Sequence, residues 1–223
     1  MEKICQLRNN LKTVKNKIFH AESGPIRLPN EIKILAITDT HGYIPESFQI
    51  IKDLNYDVCF LLGDLTQSDI DVLKPLLHLE KTYGVIGNHN YLNFLQDNDI
   101  QDIHGKVIEI NGIKFTGWGG SIQYKKSIEL GFDGFEGIDS HYFASQLPKA
   151  DVLISHDGPR RDTLNTSHSG ITGISEYIQL NNVKFNIHGH LHQNTKNKIG
   201  NCIDICIFRA ALINETGIST IIG

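Results

Sequence analysis

The stretch IKILAITD, residues 32–39, is an apolar run that ends in an acidic residue, and this pattern recurs along the chain. Its short length and apolar content predict a buried strand. Two further apolar runs follow, with helically spaced segments between them. The predicted strands lie at 32–39, 57–64 and 83–88, and the predicted helices at 45–54 and at 68–81, interrupted near Pro75. Alternating strands and helices are typical of parallel strands with crossover helices, so the sequence predicts an α/β fold.

The second half of the chain adds antiparallel pairing. Asn111-Gly112 lies between two β-like runs, which is a strong hairpin signal. Helix, strand, helix, strand and a β-rich tail are then predicted at 140–150, 151–157, 173–180, 184–190 and 202–223, respectively. We therefore expect mixed sheets rather than a purely parallel sheet.

Length and charge limit the domain organisation and the partners. The chain has 223 residues, of which 40% are hydrophobic, and this suffices for one sizeable domain at residues 31–223. Residues 1–30 contain a basic, helically spaced segment, which predicts an N-terminal amphipathic helical extension. Packing on the domain and docking to an acidic partner or membrane are both open for it. The net charge of -4 gives no global reason to expect stable nucleic-acid binding.

Cysteine usage and hydropathy indicate the compartment. The four cysteines form no C-x-x-C pair, so we expect free, mostly buried thiols in a reducing cytoplasm. The N-terminus has no apolar signal-peptide region, and Asp204 and Arg209 interrupt the longest late apolar run. We therefore expect no membrane span. The oligomeric state stays open.

Polar side chains that can bind metals follow the predicted strands at their carboxyl ends. Ligands of α/β proteins gather at this edge of the sheet. The residues are Asp39, His41, Asp64, Asn88, His89, His156, His190 and His192. Each one alone has a structural explanation, such as a helix cap or a buried histidine. Their repeated placement at successive strand ends instead favours one shared site.

In order and spacing these residues resemble the signature of the calcineurin-like metallophosphoesterases. The family blocks are D-x-H, G-D, G-N-H-[D/E], H and G-H-x-H. The corresponding blocks are DTH at 39–41, GD at 63–64, GNHN at 87–90, SH at 155–156 and GHLH at 189–192. The blocks are specific as a set, and the resemblance covers about residues 32–213. It implies a sandwich of two mixed β-sheets flanked by helices.

The resemblance also implies two divalent metal ions. By motif position, one ion binds Asp39, His41, Asp64 and His192, and the other binds Asp64, Asn88, His156 and His190. Asp64 would bridge the two. Mixed carboxylate and imidazole ligands suit Mn, Fe or Zn, and we take Mn as the first choice. His188 has no motif position, so we expect it to lie inside the strand in a supporting role.

The implied activity is hydrolysis of phosphomonoesters or phosphodiesters by a water that two metals activate. His89 matches the family histidine that contacts the phosphate and protonates the leaving group, so we predict His89 as the catalytic residue. Asn88 and His89 are predicted to contact the substrate. Asn90 stands where the family has Asp or Glu. Because an amide cannot stabilise a charged imidazole, we expect a His89-dependent acid limb at lower pH than with an acid at position 90.

The sequence says less about the substrate, for which we expect a small phosphorylated molecule or a nucleotide. Arg160, beside Arg161 in a polar loop, is a candidate for binding a second phosphate. Tyr43 is a candidate wall of the site, whereas Trp118 is more typical of a core residue. Residues 121–137 are a candidate cap loop.

Two alternatives to this enzyme remain open. A non-catalytic protein-binding scaffold on the same fold would be expected to have lost site residues, above all the histidine at position 89, and this chain retains all of them. A nuclease would be expected to have a basic groove, against which the acidic net charge speaks.

Overall fold

Strands dominate the part of the chain that the computed structural model describes, residues 32–122, 134–135, 142, 144–161, 168–214 and 217–222. The strands are β1 (Ile34–Thr38), β2 (Val58–Leu61), β3 (Thr82–Gly84), β4 (Gln101–Asp102), β5 (Val107–Ile110), β6 (Ile113–Trp118), β7 (Ser121–Ile122), β8 (Gly134–Phe135), β9 (Val152–Ser155), β10 (Phe185–His188), β11 (Thr195–Ile199), β12 (Cys202–Cys206), β13 (Arg209–Asn214) and β14 (Gly217–Ile222). The helices are α1 (Gln67–Leu73), α2 (Thr172–Asn181) and 3-10 helices at Glu46–Asp53, Lys74–Leu76, Leu79–Lys81 and Gln96–Asn98.

The strands form two mixed six-stranded sheets and a short pair, β7 with β8. The first sheet has the order β14-β13-β1-β2-β3-β4, in which β1 to β4 are parallel, β13 is antiparallel to β1, and β14 is antiparallel to β13. The second has the order β11-β12-β10-β9-β6-β5, in which β6, β9, β10 and β12 are parallel and β5 and β11 antiparallel. The predicted mixed sheets are confirmed.

The main core lies between the two sheets. Phe60 of the first sheet and Phe115 of the second are fully buried, with ring centroids 5.1 Å apart. The outer face of the first sheet packs against α1 and the 3-10 helix Glu46–Asp53, and that of the second against α2. This sandwich of two sheets between helices is the predicted fold class.

Local sequence signals account for several element boundaries. Asn111 and Gly112 have φ of 51° and 78°, and they form the tight turn between the antiparallel strands β5 and β6. Pro75 lies in the 3-10 turn that follows α1, so the predicted helix is interrupted there. The helix predicted at 45–54 is a 3-10 helix, and its buried residues Phe48 and Ile51 are three apart, as that geometry requires.

Several predictions fall on other parts of the chain. The N-terminal extension, most of the candidate cap loop and part of the helix predicted at 140–150 lie outside the described residues. Cys59, Cys202 and Cys206 are buried free thiols, as predicted. Within the described ranges, no helix is both long and apolar enough to cross a membrane.

Candidate metal centre

The polar residues predicted at the strand ends lie together at one edge of the sandwich. Asp39 and Asp64 come after β1 and β2, which are parallel neighbours in the first sheet. His156 and His190 come after β9 and β10, which are parallel neighbours in the second. The carboxyl ends of these four strands meet at this edge, so both sheets contribute to one site.

Asp39, His41 and His192 form the first group of candidate ligands, and their ligand atoms lie within 4.8 Å of one another. Nε2 of His41 lies 3.2 Å from Nε2 of His192. Oδ1 of Asp39 lies 3.9 Å from the first of these nitrogens and 3.5 Å from the second. Three possible ligand atoms, one of them from a buried carboxylate, therefore converge on one point.

Asp64, His156 and His190 form the second group, which is buried and equally close. Nε2 of His156 lies 3.4 Å from Oδ2 of Asp64 and 2.9 Å from Oδ1 of Asn88. On the other side of the ring, Nδ1 lies 2.7 Å from the carbonyl oxygen of Leu62. A carbonyl only accepts, so Nδ1 carries a hydrogen, and Nε2 is the nitrogen that can bind a cation once it has lost its own proton.

Asp64 belongs to the second group and also lies beside the first. Its Oδ2 is 3.7 Å from Nε2 of His41 and 3.4 Å from Nε2 of His156. Its Oδ1 accepts a hydrogen bond of 2.8 Å from the backbone N–H of His89. One oxygen thus faces both groups while the other fixes the side chain.

The backbone at the candidate ligands is unusual. Left-handed φ angles of 47° to 66° occur at Asp39, His41, Asp64, His190 and His192. Residues with a side chain rarely adopt this conformation, and such strain persists where the surrounding structure holds it, typically at functional sites.

Glycines in the sequence blocks allow the chain to approach the two carboxylates. A Cβ atom at Gly189 would collide with Asp39 Oδ2, and one at Gly87 would collide with Asp64 Oδ1. The space at Gly189 brings the backbone N–H of His190 to 2.8 Å from Asp39 Oδ2, where it donates a hydrogen bond. The glycines of GHLH and GNHN are therefore required by packing at the site.

Asp69, which the sequence did not identify, fixes the loop after β1. It is buried in α1, and its Oδ2 accepts hydrogen bonds from Thr40 Oγ1 at 2.7 Å, from Gly42 N–H at 2.9 Å and from Thr66 N–H at 2.8 Å. The last of these completes a capping box, the local role of such a residue. The first two bonds cross 29 and 27 residues, so no local pattern reveals them.

The electrostatics of the site favour positive charge. Burial alone would raise the pKa of Asp64, but the charge and hydrogen bond of His156 hold it well below its ordinary value. Burial would lower the pKa of His156, but the neighbouring Asp64 and Asp39 carboxylates raise it to about 9. The pKa of Asp39 is also lowered, because its contacts with His192 and His156 outweigh its burial. The carboxylates thus attract protons to the imidazoles. A bound cation would compete with these protons for the imidazole nitrogens.

The donor set fits divalent metal ions. Asp39 Oδ1 is buried and has no hydrogen-bond partner, although a buried carboxylate oxygen normally has one. The nitrogen atoms near it belong to the imidazoles of His41 and His192, and imidazole nitrogens are ligands of Mn, Fe or Zn. Ligands about 2.0–2.2 Å from a common ion lie at most ~4.4 Å apart, close to the spacing in both groups.

His89 lies at the exposed side of the site, with Nε2 4.0 Å from Asp64 Oδ2 and 48% of its side chain exposed. Asn90 is directed elsewhere. Its Oδ1 accepts hydrogen bonds from the backbone N–H groups of Asp64 and Gly87, both at 2.9 Å, and its Nδ2 donates to the Leu65 carbonyl at 2.7 Å. The side chain at position 90 therefore holds the loop that carries Asp64. The lower acid limb expected for an amide at this position stays a prediction.

The residues predicted to contact the substrate beyond the metal ligands lie in different environments. Arg160 is exposed, and no hydrogen bond or ion pair joins its side chain to the ligand groups within the described ranges. Arg161 forms an ion pair with Asp157 at 2.9 Å. Trp118 is buried in the core next to α2, as expected, whereas Tyr43 is 58% exposed in the loop after β1.

A second residue that sequence reasoning missed is His168. Its exposed ring lies beside the buried ring of His190, with centroids 4.8 Å apart. His168 comes from a polar loop without a recognisable motif, so the sequence gives no signal of this contact.

His188, as predicted, lies inside β10 and is 1% exposed. Its Nδ1 lies 3.1 Å from the Gly189 carbonyl oxygen and its Nε2 3.5 Å from Asp204 Oδ1. Asp204 Oδ1 also accepts a hydrogen bond of 2.7 Å from Asn186 Nδ2. This buried network supports the strand from which the GHLH block continues.

Replacing His188 by Ala should lower stability more than activity. The change leaves the Asp204 carboxylate buried without its charged partner, at a cost of about 3 kcal/mol in the free energy of unfolding. The ligand groups stay in place, so the folded protein should keep its bound metal and most of its turnover. Urea unfolding, metal analysis and a rate measurement test this, with His190→Ala as the comparison. An equal loss of activity in both variants at a temperature where both are folded would contradict it.

Comparisons with known proteins agree with the fold and the motifs. A model of the calcineurin-like phosphoesterase superfamily domain matches residues 32–208. The uncharacterised protein MJ1162 of Methanocaldococcus jannaschii is 29% identical over 188 residues, which cover 77% of this chain and 86% of that protein.

Solved structures extend the likeness of the fold. TT1561 of Thermus thermophilus superposes with a TM-score of 0.58 at 16% identity, covering 83% of this chain and 95% of that chain. Phosphopantetheinyl hydrolase of Mycobacterium tuberculosis superposes with a TM-score of 0.51 at 15% identity, covering 82% and 91%. Because the superfamily model spans most of the sequence, including both groups of candidate ligands, the chain belongs to the calcineurin-like phosphoesterase superfamily.

Proposed function

We propose that this protein hydrolyses phosphoester bonds at a centre of two divalent cations. The observation that carries the proposal is the pair of ligand groups on either side of Asp64, with the exposed imidazole of His89 beside them. The substrate would be a small phosphorylated molecule or a nucleotide, as a monoester or a diester.

The ligand assignment follows the two groups. One cation would be held by Asp39, His41, His192 and Asp64, and the other by Asp64, Asn88, His156 and His190. Nitrogen and oxygen donors without a thiolate suit Mn first, and Fe or Zn as alternatives. When bound, the cations supply Lewis acidity, which lowers the pKa of a water molecule and neutralises charge on the phosphoryl oxygens.

His89 is the proposed acid. Its backbone N–H donates to Asp64 Oδ1, so the residue is anchored at the ligand groups while its ring stays exposed to substrate. In this proposal Asn88 and His89 contact the phosphate, and His89 gives the proton of Nε2 to the departing oxygen. Arg160 remains a candidate for a more distant part of the substrate.

The alternatives lack a comparable observation. A protein-binding scaffold has no need of an exposed imidazole beside two ligand groups, and a nuclease would be expected to carry a basic groove. We further propose a cytoplasmic protein without stable nucleic-acid binding, which the buried free thiols of Cys59, Cys202 and Cys206 support.

The test is hydrolysis of a nitrophenyl phosphate monoester and a bis-nitrophenyl diester, side by side, in the presence of Mn. We expect turnover of at least one ester, loss of turnover after chelation and recovery when Mn is restored. The preferred ester then identifies the substrate class. If protein with bound metal turned over neither these esters nor a set of natural phosphoesters, the scaffold alternative would replace this proposal.

A further inference from the structure

Arg209 lies beside the first ligand group although no sequence block contains it. It begins β13, where it pairs with Thr38, the residue before Asp39. Its backbone has a left-handed φ of 68°. A long side chain gains nothing from this conformation, so the surrounding structure must hold it.

Arg209 shares an unusual backbone conformation, a positive φ angle, with the candidate ligands. Nine non-glycine residues in the described ranges have a positive φ, and five of them are the candidate ligands named above. Another three, Asp99, Asn111 and Asn182, end helices or form the hairpin turn, where Asn and Asp are common. Arg209 is the remaining one, and its strained backbone lies next to the strained backbone of the ligands.

Aromatic rings connect Arg209 to the candidate ligands. The guanidinium carbon lies 4.4 Å from the ring centroid of Tyr43 and 5.2 Å from that of Phe208. The Phe208 ring in turn stacks on His192, with centroids 5.1 Å apart. Both contacts place the guanidinium carbon over an aromatic ring, a cation–π arrangement that holds the charge next to the first ligand group.

The charge of Arg209 is not neutralised within the described part of the chain. No carboxylate there forms an ion pair with it, and its buried Nε has no hydrogen-bond acceptor. Arg161 provides the contrast, because it bonds to Asp157 at 2.9 Å and to the carbonyl oxygen of His168 at 3.0 Å. An arginine without a carboxylate partner is suited to bind an anionic ligand through its N–H groups.

We propose that Arg209, held by Tyr43 and Phe208, binds a second oxyanion of the substrate. The substrate would then be a phosphoester whose leaving group carries a further phosphate or carboxylate, since these groups match the planar donor fork of arginine. This inference rests on the proposed function, because it names the substrate class of the same site.

Nonhydrolysable phosphonates test the inference by binding alone. Calorimetry on the Mn-loaded full chain would compare propylphosphonate with alkane bisphosphonates whose chains have two to five carbons, which span different distances. We expect the best bisphosphonate to bind at least ~10-fold tighter than propylphosphonate, as one charge-assisted contact allows. In Arg209→Gln this preference should fall to about twofold or less. In Arg209→Lys, which keeps the charge but not the fork, it should be intermediate.

The matched control is Lys114→Gln, which removes one exposed positive charge at the start of β6, away from the ligands, and should keep the preference. Tyr43→Leu, a second and independent variant, should weaken the preference because the guanidinium loses its stacking partner. Equal preference in wild type and in folded Arg209→Gln, or no preference in wild type at any length, would overturn the inference.

Failure of this inference is distinguishable from failure of the proposed function. Turnover of nitrophenyl esters together with an unchanged bisphosphonate preference in Arg209→Gln would reject the subsite alone. An Arg209-dependent preference in a protein that hydrolyses no ester would reject the activity and retain the subsite.

Discussion

Asp64→Asn is expected to remove both cations together and to lower phosphoester turnover about a thousandfold, equivalent to ~4 kcal/mol of transition-state stabilisation. The reason is the position of Asp64 Oδ2, which lies 3.7 Å from Nε2 of His41 and 3.4 Å from Nε2 of His156. An amide removes the negative charge that both groups share. Metal analysis of the purified variant and its rate at saturating Mn are the two measurements.

A buried carboxylate outside the ligand groups gives the control for Asp64. Asp204 is 5% exposed and pairs with His188, so Asp204→Asn should lower stability but keep both cations. Full metal occupancy in Asp64→Asn would contradict the bridging assignment. Loss of only one cation would mean that Asp64 belongs to one group alone.

His89→Ala should have the opposite signature, with metal retained and turnover lost. The backbone N–H of His89 holds Asp64 Oδ1, and an alanine keeps this hydrogen bond, so we expect the ligand groups to stay intact without the imidazole. General acid catalysis contributes roughly 10²–10⁴-fold, and this is the expected loss for an ester with an alkyl leaving group. A nitrophenolate leaves without a proton, so the loss on nitrophenyl esters should be clearly smaller. Rates on both kinds of ester, with metal content, provide the test.

His78→Ala is the matched control for His89, because it removes another half-exposed imidazole, 3.7 Å from Glu80 and outside the ligand groups. It should leave metal content and rates unchanged. An equal loss on alkyl and nitrophenyl esters in His89→Ala would assign His89 to phosphate binding rather than to proton transfer. Loss of metal would assign it to the ligand set.

Much of the fold could be predicted because its signals are local. The apolar run before Asp39 is β1, Asn111-Gly112 is a left-handed turn, and Pro75 follows the end of α1. Parallel strands deliver their carboxyl ends to one edge, so the same pattern also predicted which polar residues would meet there.

The residues that the sequence did not reveal act over long distances in the chain. Asp69 has the local role of a capping residue, and its contacts with the loop after β1 cross more than twenty residues. Asn90 occupies a motif position but holds backbone groups of the Asp64 loop. Arg209 looks in sequence like a charge that interrupts an apolar run, and only the pairing of β13 with β1 brings it to the site. Such contacts depend on the assembled sheets and leave no periodic pattern.

Two cations bound at this site are proposed to carry out phosphoester hydrolysis. A titration of metal-free protein with Mn tests this, with bound metal and turnover of the preferred nitrophenyl ester measured in the same samples. We expect turnover to rise with metal occupancy and to reach its maximum at two ions per chain. Full turnover in metal-free protein, or two bound ions without turnover of any phosphoester, would contradict it.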